Sequence, residues 1–427
     1  MRILFAHNYY KTSAPSGENT VYELERDLLA ARGHQIREYT LSNDGLDRSW
    51  YSGLSAAATL LWNARVVRDI AAISEDWRPD VLHVHNTFPR LSMSIFYSVR
   101  RLMTATVWTL HNYRPYCASG RFVRDGRTCT VCKDTRSAMP AIVHGCYRGQ
   151  RTATVPVASS IALHRRLGTI ANEIDAIIVP SEFARELLVS REVPAERTFV
   201  KAHFYPGSWC PVPWQDRRGD AIYIGRVEKV KGVYTLVEAW ANLGERAPYL
   251  DIVGDGPDLH HLQALIRAKN LEGRICCRGA LPHSDVRNVL ANAKLLVAPS
   301  EFFESFGMVV MEAMALGVPV VASRIGSYPE VIGHEAGALF DSGDPVSLAN
   351  AVLKLWSDPS LLEQHSENAQ RAALSAYSSG RAYDVALEVY DRAIRHRRAK
   401  MGSVVGKRRG TERDDLTDAP LRSRRVL

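Results

Sequence analysis

The chain has 427 residues, 46% hydrophobic and 23% charged, enough to fill two domain-sized cores, and no run of 18 or more apolar residues that would make a spanning helix. Its net charge of +8 is lopsided: residues 395–427 hold eleven Lys/Arg and four Asp/Glu, a net of +7, leaving about +1 for residues 1–394. The basicity therefore belongs to a tail, and no nucleic-acid partner is expected of the near-neutral body.

The start, Met-Arg-Ile-Leu-Phe-Ala-His7, turns polar too soon for a signal peptide and reads as a buried strand over 2–7, which points to a cytoplasmic protein. Ser13-Ala-Pro-Ser-Gly-Glu-Asn-Thr20 is a polar loop entering a helix over 18–32, with Ser16 suited to cap it. Further strands are expected at 34–40, 80–85, 105–110 and 175–180, and helices at 59–76, 91–102 and 181–190. His83-Val-His-Asn86 ends the third strand and Thr109-Leu-His-Asn112 the fourth. A histidine so placed either satisfies hydrogen bonds or meets a ligand, and for His83 both readings stay open. Between them and the fifth strand lies a polar, basic insert over about 113–150, carrying Cys117, Cys129, Cys132 and Cys146 as Cys-x11-Cys-x2-Cys-x13-Cys. Cytoplasmic thiols stay reduced and four thiolates suit tetrahedral zinc, so a structural zinc is expected rather than disulfides; four independent thiols is the other reading.

A Pro- and Gly-rich linker at 206–218 separates the first domain, 1–205, from the second, 219–375. Second-domain strands are expected near 220–225, 248–253, 274–279, 294–298 and 318–322 with helices between them. Residues 376–398 continue helical and are candidates to pack back on the first domain, and 399–427 form a basic tail expected to be disordered. Such a tail can rest on anionic lipid. The β-α alternation implies two doubly wound parallel sheets facing a cleft, where ligands meet the carboxyl ends of strands.

Three phrases fall at such ends. In Ala221-Ile-Tyr-Ile-Gly-Arg-Val-Glu-Lys-Val-Lys-Gly232, Gly225 allows close approach of a ligand, Gly232 opens a helix, and Arg226 and Lys231 suit a diphosphate, or else are a surface pair. Val253-Gly-Asp-Gly-Pro257 places Gly254 after a strand. Glu304-Ser-Phe-Gly-Met-Val-Val-Met-Glu312 sets two carboxylates with seven residues between them, one in a loop and one in the following helix, able to grip a polyhydroxylated ligand.

Together these motifs, with Pro-Ser-x3-Glu-Ser-Phe-Gly-x4-Glu-Ala-Met-Ala-x-Gly-Val-Pro-Val-Val-Ala-Ser, resemble the donor half of retaining glycosyltransferases of family 4, and the resemblance covers nearly all of residues 1–395. It implies the GT-B fold of two Rossmann-like domains and a nucleotide-sugar donor, with a UDP- or GDP-sugar as the expectation. By the same resemblance Arg226 and Lys231 hold the diphosphate, Glu304 faces the donor sugar, and Glu312 binds the ribose. Phe306 and Gly307 bring backbone amides near the sugar and phosphate, and His111 lies beside the donor sugar. The loop before the first helix resembles the family's Gly-Gly-Ala-Glu, but Ser16 replaces the first glycine and only Gly17 matches; Gly326-Ser-Tyr-Pro-Glu330 departs similarly. The expected reaction is retaining hexosyl transfer to a saccharide or lipid-linked saccharide in polysaccharide assembly, peripheral on the membrane's inner face, with no cofactor for catalysis. A GT-B epimerase that transfers nothing and a basic nucleic-acid-binding protein are the rival readings.

Overall fold

Val81–Val84, Ala105–Thr109 and Ala176–Val179 are buried along their whole length, as befits central strands of a parallel sheet covered on both faces. The computed structural model describes residues 1–12, 16–44, 46, 54–190, 192–207, 210–333 and 335–414. In chain order its strands are β1 (Arg2–Tyr9), β2 (Gln35–Ser42), β3 (Val81–Val84), β4 (Ala105–Thr109), β5 (Val123–Arg124), β6 (Arg127–Thr128), β7 (Ala176–Val179), β8 (Thr198–Val200), β9 (Gly219–Ile224), β10 (Leu250–Val253), β11 (Ile275–Gly279), β12 (Ala293–Ala298), β13 (Val320–Ser323) and β14 (Gly337–Phe340). They form two six-stranded sheets, ordered β2-β1-β3-β4-β7-β8 and β11-β10-β9-β12-β13-β14, and a hairpin of β5 and β6. Every pairing in the two large sheets is parallel, with Ile3 opposite both Ile36 and Val81 in the first and Ile222 opposite both Asp251 and Leu296 in the second.

Each sheet has an apolar layer on either face. Leu82, Val84 and Ile177 pack toward one side of the first sheet and Ile3, Phe5 and Ile178 toward the other. Leu250 and Leu295 face Trp240 and Leu236 beneath the second sheet, while Leu296 and Val320 face Met311 and Met314 above it. In both sheets the strand order reverses, and at such a switch point the loops diverge to leave a crevice at the carboxyl edge. The second sheet reverses between β9 and β12, the strands that precede Lys231 and Glu304.

Several sequence expectations are corrected. The helix expected over 59–76 is two, Leu54–Leu61 and Ala64–Trp77, because the Asn63 side chain accepts from the Val66 amide and starts a new helix there. Instead of a helix over 91–102 there is a 3-10 turn, Met93–Tyr97, held by Ser92. The linker is tied to the second domain by Arg217, whose buried guanidinium donates to the carbonyls of Val212, Ala293, Leu316 and Gly317.

The last helix, Ser379–Asp414, returns to the first domain. Tyr390 meets His83 at 2.7 Å, Arg397 is buried and donates to the carbonyls of Val99 and Thr104, and His396 contacts Asp175 at 2.9 Å. This helix runs past 398, where a disordered tail was expected to begin; residues 415–427 of that expectation lie outside the described residues. No helix among the described residues is long and apolar enough to cross a membrane.

Candidate active site

On the second domain the site is built at the ends of β9 and β12. Gly232 starts the helix Val233–Leu243 at φ 73°, and a Cβ there would lie 1.8 Å from the Pro299 carbonyl oxygen, so only glycine lets the two strand-end loops touch. Gly307 starts the helix Met308–Ala315 at φ 85°, where a Cβ would meet Tyr328 at 2.4 Å. The contact so permitted is chemical: Lys231 Nζ lies 2.7 Å from Glu304 Oε1. That oxygen also accepts from Ser300 at 2.7 Å and from Tyr328 at 3.3 Å. Arg226 lies beside Glu228 at 3.2 Å with its side chain largely exposed, free to swing toward an anion.

Glu312 sits on the helix Met308–Ala315, its carboxyl pushed up to about 7 by burial and only partly pulled back by Arg287. Phe306 is buried, edge-on to His203 and Tyr377. Gly225 and Gly254 serve each other: a Cβ on Gly254 would lie 1.9 Å from the Gly225 carbonyl oxygen, so these two turns pack back to back.

On the first domain, β4 delivers His111, which is buried and held well below its ordinary pKa by burial first and by neighbouring His203 next. A neutral imidazole follows, and its tautomer can be argued from its neighbours. Glu25, itself paired with Lys201 at 2.9 Å, places Oε2 4.0 Å from His85 Nε2 and favours a proton there. His85 Nδ1 is then the acceptor in the 3.0 Å bond to His111, with His111 Nε2 donating. His111 Nδ1 remains as a bare acceptor without a partner in the protein. His83, in contrast, has both ring nitrogens engaged, by Tyr390 (2.7 Å) and Thr109 (2.8 Å).

The two halves meet over this site. A Cβ on Gly17, at the start of the helix Gly17–Ala31, would stand 3.5 Å from Met308, so two helix N-termini face each other across the cleft. Their positive ends converge on one place, a setting for an anion. Ser305 donates to the His111 carbonyl at 2.8 Å, and Ser181 to the Ser305 carbonyl at 2.7 Å. The loop bearing Glu304 is thereby tied to the strand end bearing His111.

Two family models divide this chain between them. Glycosyltransferase Family 4 matches residues 17–200, and Glycosyl transferases group 1 matches residues 212–372. The chain belongs to the family 4 glycosyltransferases. It is 36% identical over 163 residues to the N-acetyl-alpha-D-glucosaminyl L-malate synthase of Bacillus anthracis, a match covering 38% of this chain and 41% of that protein. With the glycogen synthase of Mycobacterium tuberculosis it shares 26% identity over 380 residues, 87% of this chain and 81% of the other. The crystal structure of Anabaena Alr3699/HepE in complex with UDP superposes with a TM-score of 0.65 at 18% identity, covering 92% of this chain and 100% of that one. That likeness is one of fold, GT-B with two Rossmann-like domains. The chain spans less than half the length of the Bacillus relative.

The sequence motifs led to the second-domain residues but missed three on the first. His85 stood in view beside His83 and was passed over. Glu18, which replaces a small residue of the family loop, accepts from Asn112 at 2.7 Å. His203 packs on His111 with ring centroids 5.5 Å apart, and nothing in its local sequence marks it. The cysteines stand apart from this chemistry. Cys117 is buried and Cys129, Cys132 and Cys146 are half-buried, all as free thiols. Cys146 is pushed up to about 11 by burial and by the nearby Cys117, Cys132 and Cys129. Among the described residues only Glu25, His83 and His85 bring three possible ligand atoms within 4.8 Å of one another, and Lys201 already neutralises that carboxylate.

Proposed function

We propose that the enzyme transfers a hexose with retention from a UDP- or GDP-sugar to a saccharide or lipid-linked saccharide acceptor. The observation that carries this is the Lys231–Glu304 contact at the switch point of the second sheet, tied through Ser305 to His111 on the opposite domain. A cation for the diphosphate and a carboxylate for sugar hydroxyls meet where donor and acceptor must meet. The UDP bound in the HepE structure supports a uridine donor.

In the proposed reaction the bond from the anomeric carbon to the leaving phosphate oxygen breaks as the acceptor oxygen forms its bond on the same face. The acceptor's proton passes to the departing phosphate oxygen, so no protein carboxylate need act as base. Arg226, Lys231 and the facing helix N-termini stabilise charge growing on the diphosphate, which is the term expected to dominate. These groups supply the positive charge that transfer requires, and no divalent cation is assigned a step. His111, neutral, accepts a hydrogen bond from a sugar hydroxyl at Nδ1 and orients the sugar; Glu304 grips the sugar and Glu312 the ribose. The basic C-terminal segment is assigned to an anionic membrane surface on the cytoplasmic side.

Lys231→Ala or Arg226→Ala is expected to lower kcat/KM for transfer from a labelled nucleotide-sugar by at least about 2 kcal/mol of transition-state stabilisation, comparable to losing an oxyanion donor. Activity within about twofold of wild type would sink the diphosphate role. The same assay separates the epimerase reading, which requires an altered free nucleotide-sugar and no transfer, and the anomeric configuration of the product decides retention.

A further inference from the structure

Beside His111 the first domain contains a partly open cavity. Its lining is of two kinds. Glu18, His111 and Asn112 contribute polar groups, with Asn112 donating to Glu18 at 2.7 Å and His111 Nδ1 buried without a partner in the protein. Phe88, Met93, Val157 and Ile161 contribute apolar surface, with the Arg114 guanidinium over the Phe88 ring at 3.9 Å and its two terminal nitrogens bonded to the carbonyls of Ala118 and Ser119. Two serines border that wall, but Ser92 and Ser160 both donate to the Leu60 carbonyl, at 3.1 and 2.8 Å. Their hydroxyls are spent on backbone and offer little to a ligand's hydroxyls.

A site for a bare sugar needs hydrogen-bonding groups all round, because each sugar hydroxyl stripped of water and left unpaired costs about 1–3 kcal/mol. Besides Glu18, His111 and Asn112 the lining offers few of them, since the Asn86 side chain is bonded to backbone through both its oxygen and its nitrogen. The wall is also not incidental to the fold: Val157 and Ile161 come from the helix Arg151–Arg166 and pack with Leu60, Ala141 and Phe88 in a small core of their own, against which Cys132 and Cys146 lie. A separate core has been built to hold an apolar surface next to the reacting histidine.

We propose that this cavity is the acceptor subsite and that it selects an amphiphilic acceptor: a hydroxyl-bearing group at His111 and Glu18, joined directly to an apolar aryl or alkyl group that fills the space against Met93, Val157 and Ile161. The inference rests on the glycosyltransferase reading and narrows its acceptor. An aryl aglycone and the first carbons of a lipid chain share this chemistry, and the test separates them.

The experiment titrates UDP-saturated full-length enzyme with phenyl β-D-glucoside and with methyl β-D-glucoside by calorimetry, after a first titration with UDP alone. The phenyl compound is expected to bind at least about tenfold more tightly, the effect of burying part of one ring. Met93→Trp, which fills that apolar space, should bring that ratio to about one while UDP affinity stays unchanged; Met93→Ala should instead improve binding of wider apolar groups. Affinity along a series of alkyl glucosides that levels off after a few carbons marks a small aglycone, and affinity that keeps rising marks a lipid chain. Equal binding of the phenyl and methyl compounds, or a ratio that Met93→Trp leaves intact, overturns the proposal. Failure to bind UDP in the first titration overturns the donor reading instead, and the phenyl-to-methyl ratio still decides the cavity.

Discussion

The Glu312 carboxyl, pushed up to about 7 by burial, is largely protonated in the free enzyme just below neutrality. A ribose hydroxyl donates best to a carboxylate, so binding as proposed draws the ionised form and releases a proton below pH 7. Linkage then fixes the sign: donor affinity should rise as pH increases toward about 7 and level off above it, with a slope of at most about tenfold per unit. The effect is best read with an intact UDP-sugar, because UDP itself carries a terminal phosphate that titrates near pH 6. The buried histidines do not confuse the window, since burial holds His7 and His83 down to about 4 and His203 to about 3. Glu312→Gln should weaken binding at pH 8 and flatten the profile; an unchanged slope in that variant removes Glu312 from the ribose. At this scale the sequence was most readable where a side chain's role depends on its own segment, as for Lys231 and Glu304. It was least readable for His85 and His203, whose significance comes from a ring brought alongside by a different strand end.

Among the elements, the central strands could be read because they are continuous apolar runs, and a parallel sheet covered by helices produces no other pattern. In the two large sheets the strands missed, β8 and β14, are two of the four edge strands, and both are short: Thr198–Val200 is three residues long, and Gly337–Phe340 is buried only at Phe340. An edge strand pairs on one side, so its sequence carries less of the apolar signal. The helix Arg151–Arg166 carries Pro156 inside it and a basic last turn, which together obscure its buried face of Ala153, Val157 and Ile161. The cysteine insert belongs to this scale as well. Its hairpin of β5 and β6 pairs only Val123 with Thr128 and Arg124 with Arg127, too little ladder to hold a loop by itself. Four soft thiols gathered in such a loop suit zinc, which would deprotonate them and replace mutual repulsion with coordination, after the sulfurs draw closer together. Protein purified under reducing conditions is expected to carry about one zinc per chain by elemental analysis. Cys132→Ser should lower metal affinity about tenfold or more and lower the unfolding temperature. Stoichiometric absence of zinc in wild-type protein would leave the four thiols as independent packing residues.

At the scale of the whole molecule, the structure is a closed form, and its closing contacts can be named. Arg121 of the insert reaches Glu228 on the second domain at 2.7 Å. Glu330 accepts from the backbone amides of Glu182 and Phe183, at 2.9 and 3.1 Å, at the start of the helix Glu182–Leu188. Phe183 and Phe303 meet at a tilt across the same seam with centroids 5.4 Å apart. The C-terminal helix stays with the first domain, so the chain crosses between domains twice, near Tyr205 and near Tyr377, whose backbones are joined by a 2.9 Å hydrogen bond. Two crossings held together make a natural hinge, and opening about it breaks the Glu330 and Arg121 contacts while leaving each sheet intact. Such exposed, charge-assisted bonds are worth about 1 kcal/mol after solvent screening. Glu330→Ala should therefore lower the closed-to-open equilibrium constant by about fivefold and weaken donor binding by no more than that. Because neither core is touched, the unfolding midpoint should hardly move. Small-angle scattering gives the direct check: without donor the variant should be more extended than wild type, and at saturating UDP the two should coincide. Identical radii without donor, at a sensitivity that resolves UDP-induced closure of the wild type, would mean that the Glu330 contact does not hold the cleft shut.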